Sequence, residues 1–243
     1  MSAAARLGLG CAPLGNLFTA VSDADAEATV HAAWAQGIRC FDTAPQYGHG
    51  LSEVRVGRAL AAFPRDEYTL VSKVGRVLAP PAPDAVRPAS SFVDIPAVDP
   101  VFDFSRDGIL RSLDDSLRRL GADRLDIVHV HDPDDHEGAA LATAFPTLIE
   151  LREQGVIGKV GCGMNQVAML ARFVEQVDLD CILLAGRYSL LDRSGSALLQ
   201  RCVDREVDVI VGGVFNSGLL ANPVVGATFD YTAAPPALVA RAQ

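Results

Sequence analysis

The sequence predicts an α/β chain of the TIM (β/α)8-barrel type, and three observations carry that expectation. Seven short apolar or β-branched runs alternate with longer amphipathic stretches along the 243 residues. The runs recur at a spacing of roughly 25–30 residues, which suits one strand, one helix and two short loops of a barrel repeat. The turn after the first run, Gly8-Leu9-Gly10-Cys11-Ala12-Pro13, lacks a third glycine, and Pro13 has no amide to donate. That turn disfavours an open dinucleotide-binding sheet.

The elements follow in order. Arg6–Gly10 reads as the first strand, and Ser22 or Asp23 caps a helix over Asp23–Gln36 that Gly37 ends. Arg39–Asp42 is the second strand, Ser52–Ala62 the second helix and Thr69–Lys73 the third strand. Val77–Asp107 then carries six of the fourteen prolines and shows no periodicity. So long a loop is functional or a mobile insertion. Placed after the third strand, it should lie over the C-terminal rim of a barrel, with Phe92, Val93, Phe102 and Phe104 as apolar contacts for a substrate. Gly108–Leu120 is the next helix, ended by Gly121; Ile127–His131 is a strand; Ala139–Gln154 is a helix ended by Gly155. Strands at Lys159–Gly163, Cys181–Ala185 and Asp208–Gly212 alternate with helices at Gln166–Gln176 and Ser196–Glu206. Pro235–Gln243 reads as the first turns of one more helix. Strands apolar on both faces and separated by helices make right-handed crossovers and a parallel sheet.

No eighth strand can be read, so the expectation is a single domain over residues 1–243, without the eighth strand and the C-terminal helices. The first and seventh strands would then each present an unpaired edge. A segment outside this chain, or a second copy forming a homo-oligomer, would cover it; direct pairing of the two strands ranks last, because it needs an altered shear and a narrower barrel.

Composition narrows the function. Hydrophobic residues make up 49% and charged residues 21%, which argues against disorder. Thirty acidic residues against twenty-one basic ones give a net charge of −9, unsuited to nonspecific nucleic-acid or anionic-membrane binding. No apolar run is long enough to span a bilayer, and MSAAARLGLG lacks the pattern of a secretory signal. Five scattered cysteines (Cys11, Cys40, Cys162, Cys181, Cys202) read as core residues of a reducing, cytoplasmic protein.

Residues able to do chemistry gather at strand ends. Asp42 and Tyr47 lie in Phe41-Asp42-Thr43-Ala44-Pro45-Gln46-Tyr47-Gly48, where the second strand runs out, and Lys73 ends the third. An ammonium at the tip of an apolar strand needs a partner, and Asp42 on the neighbouring strand is the natural one. A lysine beside a tyrosine lowers the phenol pKa toward the range where it exchanges protons. Singly, each has a plainer role: Asp42 as a helix cap, Tyr47 as a turn aromatic, Lys73 as a solvated strand end. His129 and His131 share one side of their strand, either as one catalytic and one packing histidine or as a metal pair of a hydrolase needing further ligands. Glycines in Gly161–Asn165 and Gly212–Leu220 allow close backbone approach to a ligand, or simply tight turns.

Taken together, these pieces resemble the aldo-keto reductase family. FDTAPQYGHGLSE (Phe41–Glu53), Lys73 at the next strand end and LDIVHVH (Leu125–His131) carry the likeness, and alignment from Asp126 selects His131 over His129. GLGCAPLGNLF, HDPDDH, LAGRYSLLD and GGVFNSGLL are similar to the branch of aldose and pyridoxal dehydrogenases. The resemblance implies NAD(P)-dependent oxidoreduction of a sugar, aldehyde or similar polar alcohol, with NAD favoured over NADP. It implies Tyr47 as the proton-transfer group, Lys73 tuning it, Asp42 holding Lys73 and His131 orienting the substrate oxygen. The nicotinamide would exchange the hydride. Gly10, Cys11, Ala12, Asp42, Asn165, Gly213, Phe215, Ser217, Gly218 and Leu219 would line it. Three departures are expected: Ala185 stands where members carry a glutamine, Gly212 replaces a stacking aromatic that Phe215 would supply, and the segment gripping the adenosine end is missing. The alternative is a non-catalytic barrel remnant that cannot hold a dinucleotide.

Overall fold

The computed structural model describes residues 6–81 and 90–243, which divide into two compact units, up to Val160 and from Gly161 onward. Residues 82–89, within the proline-rich stretch, lie outside the described residues.

The first unit begins with β1 (Gly8–Gly10), α1 (Asp23–Ala35), β2 (Cys40–Asp42), α2 (Leu51–Leu60) and β3 (Thr69–Val74). Ser22 caps α1 by accepting from the Asp25 amide, as its sequence position suggests. The three strands pair in parallel and in chain order, with Gly10 opposite Asp42 and Asp42 opposite Val71.

The stretch expected as an unstructured loop is instead partly a hairpin. β4 (Arg76–Ala79) pairs antiparallel with β5 (Asp99–Phe102), Val77 facing Val101 and Leu78 facing Pro100. Two strands each have a free edge, so Pro100 sits in the ladder without breaking a second neighbour's bond. Prolines clustered between the strands hide the pairing from periodicity.

α3 (Arg106–Leu120) follows, capped by Ser105 and ended by Gly121 at φ 61. β6 (Leu125–His131) lies parallel to β3, with Lys73 opposite His129. The helix expected over Ala139–Gln154 comprises α4 (Glu137–Ala139), a π turn at Ala140–Ala144 and α5 (Phe145–Glu153). Pro146 explains the turn: it has no amide to continue the ladder, and the Phe145 amide reaches back five residues to Ala140. Phe41, Val71, Val128, Val130, Ile109 and Leu148 are buried in this unit's core.

β7 (Ile157–Met164) straddles the division. In the second unit it pairs in parallel with β8 (Cys181–Ala185), and β8 with β9 (Asp208–Gly212), while α6 (Val167–Gln176) and α7 (Ser196–Asp204) form the crossovers. A two-residue hairpin, β10 (Thr228–Phe229) with β11 (Thr232–Ala233), turns through Asp230 and Tyr231, both at positive φ. The chain ends in α8 (Pro236–Ala242), the helix expected there.

Seven parallel strands alternating with helices are the repeat of a TIM-type barrel, and no eighth strand of that set occurs among the described residues. None of the five cysteines is in a disulfide among the described residues. No described helix is long and apolar enough to cross a membrane.

Candidate active site

The C-terminal ends of β2, β3 and β6 bring Asp42, Tyr47, Lys73 and His131 together in the first unit. The Lys73 side chain is 1% exposed, and its Nζ donates to Asp42 Oδ1 at 2.7 Å and to the Thr43 carbonyl at 2.8 Å. The same Nζ stands 4.7 Å from the centre of the Tyr47 ring. Across from it, the buried His131 ring meets Tyr47 edge-on at 5.8 Å. Phe92 lies against Tyr47 at 6.3 Å and thus does reach this mouth. Val93 is held nearby through its amide on the Asn16 carbonyl, whereas Phe102 and Phe104 stack on one another and on His136.

Burial opposes the Lys73 charge, but Asp42 and then Tyr47 outweigh it and hold the ammonium above its ordinary value. The expectation that Lys73 lowers the Tyr47 phenol holds only for its own contribution. Burial is larger, and the phenol is pushed up to about 12. His131 is held well below its usual value by burial, with Arg76, Lys73 and His129 adding to the effect, so its imidazole is neutral. His129 is also fully buried, pushed down to about 3 by burial and Lys73. Among the described residues, no three His, Cys, Asp or Glu side chains gather as a metal site, so the hydrolase alternative lacks its ligand set.

A brace hidden from sequence spacing supports the tetrad. Glu53, fully buried on α2, accepts from Ser72 Oγ at 2.7 Å and from Arg119 Nε at 2.6 Å. Ser52 Oγ donates to the Cys11 carbonyl and pairs with Thr43 Oγ1, fixing the backbone that receives Lys73. Gly48 holds the Tyr47 turn. Its φ is +61, and a Cβ there would stand 2.3 Å from the Gly15 carbonyl oxygen. Gly48→Ala should therefore cost about 1–3 kcal/mol in strain alone, read from the denaturant midpoint at unchanged m-value.

The proposed cofactor-lining residues divide between the units. In the first, Gly10 has open space where a Cβ would stand, beside Asp42, whose Oδ2 is buried without a partner. Ala12 opens the short 3-10 turn after β1. Cys11 is fully buried: its thiol donates to the Leu9 carbonyl, its amide to the Asp42 carbonyl, and its own carbonyl accepts from Ser52 Oγ, so its polar groups are already engaged. In the second unit, Gly213, Asn216, Ser217 and Gly218 all have positive φ, and Phe215 is 62% exposed. Leu219 is fully buried and Ser217 Oγ accepts from the Tyr231 amide, so neither side chain is free there. The Asn165 carbonyl accepts from Arg187 Nε, and Ala185 and Gly212 are register partners at the strand ends.

The aldo/keto reductase family model matches residues 6–228. The chain belongs to that family. Curated relatives include a D-threo-aldose 1-dehydrogenase from a Pseudomonas species, 42% identical over 89% of this chain and 67% of that protein. A pyridoxal 4-dehydrogenase of Microbacterium luteolum is also 42% identical, over 97% of this chain and 74% of its own length. Among solved structures, an aldo-keto reductase from Bacillus halodurans superposes with a TM-score of 0.70 at 27% identity, covering 88% of this chain and 64% of that one. As an aldo/keto reductase, this chain is an NAD(P)-dependent oxidoreductase.

Proposed function

We propose that this chain is a dehydrogenase of aldoses or similar polar alcohols, with NAD as its preferred dinucleotide. The observation that carries the reading is the convergence of Tyr47, a buried Lys73–Asp42 pair and a neutral His131 at the ends of three parallel strands. The names of the two 42%-identical relatives support the substrate class.

The residues fit a dinucleotide. In the first unit the open space at Gly10 and the unpartnered Asp42 Oδ2 suit a ribose hydroxyl; in the second, the loop with positive φ at Gly213, Asn216, Ser217 and Gly218 suits a phosphate and the exposed Phe215 a flat ring. Bound nicotinamide supplies the two-electron redox chemistry that no side chain can provide.

Tyr47 takes the alcohol proton in oxidation and returns it to the carbonyl oxygen in reduction. Lys73 stabilises the phenolate formed in the first case, and Asp42 keeps Lys73 charged and in place. His131, neutral and buried, donates a hydrogen bond to the same oxygen without competing for its proton. Phe92 shields the Tyr47 ring from water.

Calorimetric titration with NAD and with NADP, followed by an absorbance assay with a panel of aldoses, tests the reading. The expected result is tighter binding of NAD and aldose-dependent reduction of it. Binding of neither dinucleotide would overturn the proposal and favour a non-catalytic remnant.

A further inference from the structure

A second polar group stands against His131 that neither the family signature nor the tetrad uses. Asp132 follows β6 at φ 43, a left-handed backbone that turns it back beside the preceding histidine. Its Oδ2 lies 3.4 Å from His131 Nε2 and 3.4 Å from Arg76 Nη2, and its side chain stays 39% exposed. Arg76 is the opposite case: 11% exposed, its guanidinium lies 4.4 Å from the centre of the Phe102 ring, and Nη1 donates to the His131 carbonyl at 3.4 Å. The Arg76 carbonyl accepts from Ser112 Oγ at 2.9 Å, so its backbone is anchored to α3.

The three 3.4 Å contacts among Arg76, His131 and Asp132 all fall short of the roughly 2.7–2.9 Å of a well-made charge-assisted hydrogen bond. A carboxylate and a guanidinium held slightly apart, one accepting and one donating, match a hydroxyl group, which does both. Polar site contacts left long without ligand commonly tighten around it.

We infer that Asp132 and Arg76 bind the hydroxyl on the carbon next to the reacting one, and so select aldoses and 1,2-diols over substrates lacking that group. The inference rests on the dehydrogenase reading, which places the reacting oxygen at His131. Neighbouring oxygens of a gauche diol can then meet two groups that themselves stand 3.4 Å apart. Asp132 accepts a hydrogen bond from the second hydroxyl, and Arg76 donates one to its oxygen. A substrate without it leaves the charged pair desolvated and unsatisfied, which is where hydrogen-bonding sites discriminate most strongly.

The test compares kcat/KM for galactose and 2-deoxygalactose of matching configuration, in the unaltered chain, Asp132→Asn and Asp132→Ala, with thermal unfolding as a fold check. Saturation-transfer NMR of the two sugars in competition gives a second readout that needs no turnover. The unaltered chain should favour galactose by about 10- to 100-fold, the contribution of one hydrogen bond to a charged group. Asp132→Ala should make the two sugars equivalent in both assays, with Asp132→Asn in between. A preference that persists in folded Asp132→Ala, or its absence from an active unaltered chain, would overturn the inference and leave the dehydrogenase reading standing. Inactivity of the unaltered chain on every aldose and polyol tried, although NAD binds, would overturn that reading and this inference with it.

Discussion

Replacing Tyr47 by Phe should lower kcat by about 10²–10⁴-fold while leaving dinucleotide affinity nearly intact, the range expected when one general acid–base group is lost. Only a hydroxyl is removed. The ring keeps its neighbours Phe92 and His131, and Lys73 keeps Asp42 and the Thr43 carbonyl. The pH dependence separates the two directions. Burial pushes the Tyr47 phenol up to about 12 against the pull of Lys73. Below that value the phenol dominates, so the acid for carbonyl reduction is fully present at neutral pH. The base for alcohol oxidation is a minority form that grows as pH rises. Lys73 is held above its ordinary value and keeps its charge through the same range. Oxidation by the unaltered chain should therefore accelerate into the alkaline range while reduction stays level, and Tyr47→Phe should show neither trend. Steady-state rates in both directions, with calorimetric dinucleotide titration, check this. A variant retaining most of its activity would move the proton-transfer role to another group.

Much of this site was legible because its chemistry is written at strand ends. Phe41-Asp42-Thr43, Ser72-Lys73 and His129-Val130-His131 each close an apolar strand, and parallel pairing brings such ends to one side. Other parts were hidden for identifiable reasons. Glu53 and Arg119 stand 66 residues apart, and no periodicity links residues that meet only when α2 packs on α3. The β4–β5 ladder contains a proline and is interrupted by others, which erases alternation. Arg76 follows a glycine at φ +103 and Asp132 adopts a left-handed backbone, so neither side chain points where a regular strand would aim it. The sign of the Lys73 effect on Tyr47 follows from charge alone. The larger effect of burial follows only from packing.

Asp42→Asn should destabilise the chain by about 3–5 kcal/mol at neutral pH, the usual cost of removing one partner from a buried ion pair. The substitution preserves shape and removes only the charge. Lys73 is then a buried ammonium facing only a neutral amide oxygen, the Thr43 carbonyl and the face of the Tyr47 ring, with no counter-charge. In the unaltered chain Asp42 raises the folded-state pKa of Lys73 above its unfolded value. That stabilisation is complete below the unfolded pKa and fades only as pH rises through the folded one, so it is constant near neutrality. In the variant, burial, the largest effect, is opposed by Tyr47 alone, and the folded pKa should fall below the unfolded value. Between those two values the unfolded chain binds the extra proton, and stability must rise with pH. The deficit of Asp42→Asn relative to the unaltered chain should therefore shrink as pH climbs from neutral toward the ordinary lysine range. Paired denaturant titrations at several pH values measure it, and the difference between the chains cancels groups that titrate alike in both. A deficit that is absent, or that stays the same at every pH, would mean that the carboxylate does not hold the Lys73 charge. The account of how Lys73 reaches Tyr47 in its charged form would then fail.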